Sequence, residues 1–279
     1  MKESSRPNAE TVHLFMSLKG QKLVKRLITM MKTVLYHQNR VRHNNPNCIV
    51  SLNNATVLPC PRYPTMVSRT PFHLHLLADS KARLNLTWAL AHWNLNNVEW
   101  TVYPFEQHQA SCLCVICMDT DVILNHDIRE LWSHFYQFDK SQPAGVNGGV
   151  ALHYLKRMRE VNWEAMWVEA AKRKLEQVGV LHEGDQIYAD VADECCPVVW
   201  PLRNPDQIDC WSDIYPNATF RPVKLVHYDK HLKPDDESYK DVWPPVSSGL
   251  GKKLTTPQIR GEFYRRFRTF ETIDLDCFF

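Results

Sequence analysis

Short apolar runs alternate with helix-period stretches along most of this chain, and that alternation admits few architectures. "TVHLFMSL" (11–18) opens β-branched, runs apolar and stops at Lys19-Gly20, which predicts a strand. "QKLVKRLITMMKTVLYHQ" (21–38) then places Leu23, Val24, Leu27, Ile28, Met31, Val34 and Leu35 on one helical face. The same pairing recurs in "FHLHLLAD" (72–79) followed by a helix from Ser80, a plausible N-cap. "NVEWTVYPF" (97–105) predicts a third strand, and the apolar run from Cys112 to Met118 a fourth, followed by a helix from about Asp127 to Phe138. Beyond it, 148–155 reads as a strand, 162–178 as a helix capped by Asn162, 184–193 as a short helix and 222–228 as a strand. A last helix, with Pro257 near its start, ends the chain. Strands that alternate with helices give an α/β domain with a mostly parallel sheet flanked by helices.

The 279 residues, 44% of them hydrophobic, suffice for one large domain or two small ones. No linker or internal repeat divides them, so a single domain over 1–279 is expected, with 1–10 a polar tail and 38–70 an exposed insertion rich in Asn, Pro and Arg. A net charge of +2 argues against recognition of nucleic acid by charge. The basic clusters Lys19–Lys32 and Arg260–Arg268 read as solvated helix faces. No run approaches the ~18 apolar residues of a membrane span, and the polar start lacks a signal-peptide core. Asn54, Asn85 and Asn217 head Asn-x-Thr sequons, which hint at a lumenal history. Of nine cysteines, Cys195, Cys196, Cys210 and Cys277 lie in turn-rich or terminal segments suited to a disulfide. Cys112, Cys114 and Cys117 read instead as small hydrophobes, because strand alternation makes Cys114-x-x-Cys117 a poor zinc knuckle.

The sharpest chemical feature is Asp119-Thr120-Asp121, at the carboxyl end of the fourth strand. Ligands of open α/β sheets bind at that edge, and two carboxylates in one turn can aim at one hard cation such as Mn²⁺ or Mg²⁺, whose usual companion is a phosphate. They can equally make local backbone hydrogen bonds. "VNGGV" (146–150) puts Asn147 and Gly149 before a strand, as an ordinary turn or as a close approach to a ligand. Asp185 and Gln186 stand at a helix start, as a cap or in a site. His227 ends an apolar run and Lys233 follows it, so that an imidazole could complete a metal site and an ammonium neutralise a diphosphate.

In this order the motifs resemble glycosyltransferase family 8, most of all its LARGE-type xylosyl/glucuronyltransferase branch. The likeness spans nearly all of 11–276, carried by "LVKRLITMMKTVLYH", "FHLHLLADS", "MDTDVILNHDIRELW", "GVNGGVALHYLKRMREVNWEAMW", "GDQ", "VKLVHYDKHLKP" and "YRRFRTFETID". It implies a GT-A fold and retaining transfer of a sugar, xylose favoured, from a UDP-sugar to a glycan or glycoprotein acceptor in the Golgi lumen. It implies Mn²⁺ held by Asp119, Asp121 and His227. The donor would be contacted by Thr120, Asn147, Gly149 and Lys233, and the reacting carbon faced by Asp185 and Gln186. Family members are membrane-anchored.

The departures from the family pattern are equally specific. "YPFEQHQASCLCVICMDTD" joins the third and fourth strands almost directly, where the family carries a further helix. A strand and donor-sugar loop are expected to be lost before "VNGGV". The usual Asp-Gln-Asp is Asp185-Gln186-Ile187, and a hydroxyl residue gives way to Gly148. A degenerate or truncated relative that keeps nucleotide and metal binding without turnover is therefore the alternative to an enzyme.

Overall fold

A computed structural model of the chain describes residues 10–42, 44–48, 70–93, 95–104, 112–124, 126–140, 142–147, 149–179, 202–203, 225–228, 233–235 and 256–279. Its main sheet has the strand order β3-β2-β1-β4-β7-β6. These strands are β1 (Val12–Leu18), β2 (Phe72–Ala78), β3 (Val98–Pro104), β4 (Val115–Met118), β6 (Ala144–Asn147) and β7 (Val150–His153). The β1–β2, β2–β3 and β1–β4 pairs run parallel, whereas β7 runs antiparallel to both β4 and β6. The expected mostly parallel sheet is thus present, with an antiparallel hairpin along one edge.

Alternate residues of β1, namely Val12, Leu14, Met16 and Leu18, are fully buried. They share one core with Val24, Leu27, Met31 and Val34 of α1 (Gly20–His37) and with Ala82, Leu86 and Leu90 of α2 (Ser80–His92). Asp79, rather than the expected Ser80, caps α2 by accepting from the Ala82 amide, and its carboxylate also accepts from the Gly20 amide. One carboxylate therefore serves the starts of two neighbouring helices, where the helix dipoles favour a negative charge. The helix expected from Asp127 is α3 (Ile128–Ser133), capped by Asp127 and continued by a 3₁₀ turn, His134–Gln137.

After β7 come α4 (Leu155–Glu160) and α5 (Trp163–Val178). Asn162 stands at the N-cap of α5 as expected, but in a left-handed conformation and without a capping side-chain bond. The final helix, α6, spans Thr256–Thr272. A second, three-stranded sheet, of which the sequence predicts only the strand at 222–228, has the order β5-β9-β8, built of β5 (Val122–Leu124), β9 (Leu225–His227) and β8 (Leu202–Arg203).

Three expectations need correction. The basic clusters are not wholly solvated: Arg26, Lys32 and Arg266 are buried. Lys32 Nζ donates to the carbonyls of Glu271 and Ile273 at 3.0 and 2.5 Å, which satisfies orphan acceptors where α6 ends. The segment from 38 is not simply an exposed loop. Gln38, Arg40 and Cys48 are buried, Val41 bridges Phe278, and Cys48 forms a disulfide with Cys277. Its remainder, 49–69, lies outside the described residues, as do the short helix expected at 184–193 and Cys195, Cys196 and Cys210. β6 runs into "VNGGV" itself and turns back through Gly149 onto β7. Asn85 lies inside α2, donating its amide to the Lys81 carbonyl, a poor setting for its sequon. No described helix is long and apolar enough to cross a membrane.

Candidate metal and nucleotide site

Asp119 follows directly on Met118, the last residue of β4, so it emerges at the carboxyl edge of the parallel strands. Its amide donates to the Gly149 carbonyl at 2.9 Å, which ties the turn to the β6–β7 hairpin. Asp121 precedes β5, and β5 pairs antiparallel with β9 so that Val122 lies opposite His227. The Tyr228 amide then donates to the Asp121 carbonyl at 3.0 Å. The α1 helix supports this small sheet through Thr33, whose hydroxyl donates to the Met30 carbonyl and accepts from the Leu124 amide. Register alone thereby brings a histidine a hundred residues downstream against the two carboxylates.

His227 Nε2 lies 3.2 Å from Asp119 Oδ2 and 3.5 Å from Asp121 Oδ1. One ligand atom from each of the three residues lies within 4.8 Å of the others. Asp121 and His227 are buried, whereas the Asp119 side chain is 57% exposed and leaves the cluster open on one side. Two carboxylates and one imidazole make a hard, oxygen-rich donor set that fits a divalent cation such as Mn²⁺ or Mg²⁺.

Without such an ion, the protein's own cations balance the charge. Burial alone would raise the Asp121 carboxyl, but hydrogen bonds from His227 and Lys233 and their positive charges outweigh it and hold it at about 2. Burial would likewise lower His227, yet Asp119 and Asp121 hold its imidazolium up to about 9. Lys233 Nζ donates to Asp121 Oδ2 and to the Tyr228 carbonyl, both at 2.8 Å. Holding a divalent cation requires a neutral imidazole, so loading would exchange the His227 proton for the ion.

Gly149 has φ +79°, and a Cβ built there would sit 2.6 Å from His227 Cε1 and Nδ1. The close approach read from "VNGGV" is real, but among the described residues its partner is the His227 ring. Thr120 is buried within the turn, and Asn147 pairs through its backbone with Val150. Asp185 and Gln186 lie outside the described residues.

The sequence reading missed the clamp that holds Lys233. Two residues on, Asp235 accepts from Arg26 Nε at 3.0 Å and Nη2 at 2.5 Å, lies 3.4 Å from Lys22 Nζ, and its carbonyl accepts from Arg268 Nη2 of α6. Arg26 stands among Leu23, Leu27 and Met30 on the apolar face of α1, and a charge in such a stripe signals a buried partner.

A sheet of this order with an acidic turn at the end of β4 is the GT-A fold of nucleotide-diphospho-sugar transferases. Solved structures agree: the apo form of mouse xyloside xylosyltransferase 1 superimposes with TM-score 0.52 at 13% identity, covering 79% of this chain and 98% of that one. The galactosyltransferase LgtC with donor and acceptor sugar analogs gives 0.51 at 14%, covering 81% and 90%. The resemblance to the LARGE-type transferases also holds. The xylosyl- and glucuronyltransferase LARGE2 of Rattus norvegicus is 25% identical over 250 residues, covering 70% of this chain and 32% of that protein. LARGE1 of Homo sapiens is 24% identical over 219 residues, covering 60% and 25%. The chain thus spans about a third or less of the length of these curated relatives. No family model matches it.

Proposed function

We propose that this chain is a Mn²⁺-dependent, retaining glycosyltransferase domain that moves a sugar, xylose by preference, from a UDP-sugar to a glycan or glycoprotein acceptor in the Golgi lumen. The observation that carries this reading is the convergence of Asp119, Asp121 and His227 from two separated segments at the carboxyl edge of the sheet. These three residues would hold the ion, which when bound supplies Lewis-acid neutralisation of the departing diphosphate. Lys233 contributes a second positive charge, trading the Asp121 carboxylate for a phosphate oxygen when the donor arrives. Gly149 keeps clear the space that the His227 ring needs. Thr120 and Asn147 are assigned to the donor, and Asp185 and Gln186 to the sugar, where a polar group stabilises positive charge developing on the ring.

The test is transfer and hydrolysis of a panel of UDP-sugars with Mn²⁺, comparing wild type with Asp121→Ala. Loss of one charge-stabilising group predicts a drop in turnover of about 10²–10³-fold. UDP binding without turnover of any sugar would leave the degenerate relative as the reading. The absence of both would end the nucleotide-sugar assignment.

A further inference from the structure

The core side of the main sheet is taken by the even-numbered residues of β1 and β2. Its other side carries an unusual set: His13 of β1, His73 and His75 of β2, and Thr101 and Tyr103 of β3, where alternation and parallel register place them together. Imidazoles in such a row are commonly satisfied by one another or by hydroxyls, and His73 is: its Nε2 lies 2.8 Å from the Thr101 hydroxyl. His75 is bonded at both ring nitrogens. Its Nδ1 lies 3.1 Å from the Tyr103 hydroxyl, whereas its Nε2 faces His13 Nδ1 at 2.9 Å. The ring is fixed on its far side by stacking on His73, with centroids 4.1 Å apart.

Cys112, just upstream of β4, completes the group: ligand atoms of His13, His75 and Cys112 all lie within 4.8 Å of one another. It is a free thiol, half-buried, while His75 is 3% exposed.

We propose that His13, His75 and Cys112 form a second metal site, for Zn²⁺ or a similarly thiophilic ion. Two imidazoles and a thiolate suit zinc, whereas Mn²⁺ and Mg²⁺ prefer oxygen donors. The site therefore differs in kind from the carboxylate cluster, and it stands at the other end of β4, since Cys112 precedes that strand and Asp119 follows it. Tyr103 supplies the outer partner that metal-bound histidines usually have: its oxygen accepts from Nδ1–H, so that Nε2 can exchange its hydrogen bond with His13 for the ion. Zinc ligands at about 2.0–2.3 Å stand closer to one another than the 4.8 Å limit here, so modest side-chain rotations close the site. Three protein ligands leave a fourth position for water. Binding ties the segment before β4 to β1 and β2.

The experiment uses the whole chain titrated with Co²⁺ and Zn²⁺ alone. Wild type should bind one Co²⁺ with a near-ultraviolet thiolate-to-metal absorption that Zn²⁺ abolishes and excess Mn²⁺ does not. Asp121→Asn should keep that band. Cys112→Ser should lose it and bind Zn²⁺ at least ~10-fold more weakly, as should His13→Asn. Zn²⁺ should also protect Cys112 of the wild-type protein from alkylation, a readout that needs no variant to fold. No thiolate band in wild type, a band unchanged by Cys112→Ser, or no protection would overturn the proposal.

Discussion

At Gly149 the backbone does what a side chain would forbid. Its left-handed φ costs an alanine about 1–2 kcal/mol, and the added methyl would collide with the His227 ring. Gly149→Ala should therefore lower the thermal midpoint and weaken Mn²⁺-dependent UDP binding by at least ~10-fold, because the ring must leave the carboxylates. Calorimetry and titration of the same preparation check both. His37 governs a different property. Burial chiefly, with help from the positive charges of His126 and Arg266, pushes its imidazole down to about 3. The folded protein then stays unprotonated at His37 while the unfolded chain takes up a proton below pH ~6.5. Its contribution to stability is flat above pH ~6.5 and falls as pH drops toward 3, by at most ~1.4 kcal/mol per pH unit. Chemical denaturation between pH 7 and 4 should show a shallower loss in His37→Gln than in wild type.

Among the elements, those with a strong local period were legible: β1, α1, β2 and α2 fall within a residue or two of expectation, because each buries a continuous face. The small sheet was legible only in part: β9 lies within the strand expected at 222–228, whereas β5, three residues long, carries no period of its own and exists because Val122 to Leu124 finds Leu225 to His227. The candidate site was legible as residue types in order, since Asp119, Asp121, His227 and Lys233 do meet. What places Lys233 was not, because Asp235 and Arg26 lie far apart in sequence and only the packing of α1 against α6 and this loop joins them. Arg26 is buried, so removing its partner strands a charge, which typically costs about 3–5 kcal/mol. Asp235→Asn should destabilise the fold by a figure approaching that range in urea denaturation. It should also raise the donor KM more than Lys22→Ala, since Lys22 is mostly exposed.

Across the whole molecule, the chain closes on itself. The Cys48–Cys277 disulfide spans 229 residues of sequence, and the Arg42 amide donates to the Cys277 carbonyl beside it. Cys277 was an expected disulfide partner, but Cys48 lay hidden in a segment read as exposed. Constraining so long a loop stabilises by up to about 5 kcal/mol, so reduction, or Cys48→Ala, should lower the denaturation midpoint by a comparable free energy without changing the sheet. Such a bridge suits an oxidising compartment, as the proposed lumenal site requires. The proposed function requires the GT-A framework to deliver a working metal and nucleotide edge. Isothermal titration of UDP into the oxidised protein, with and without Mn²⁺, tests it most directly. Binding should require Mn²⁺ in wild type and disappear in Asp121→Asn. UDP binding indifferent to both Mn²⁺ and Asp121, or no binding at all, would contradict it.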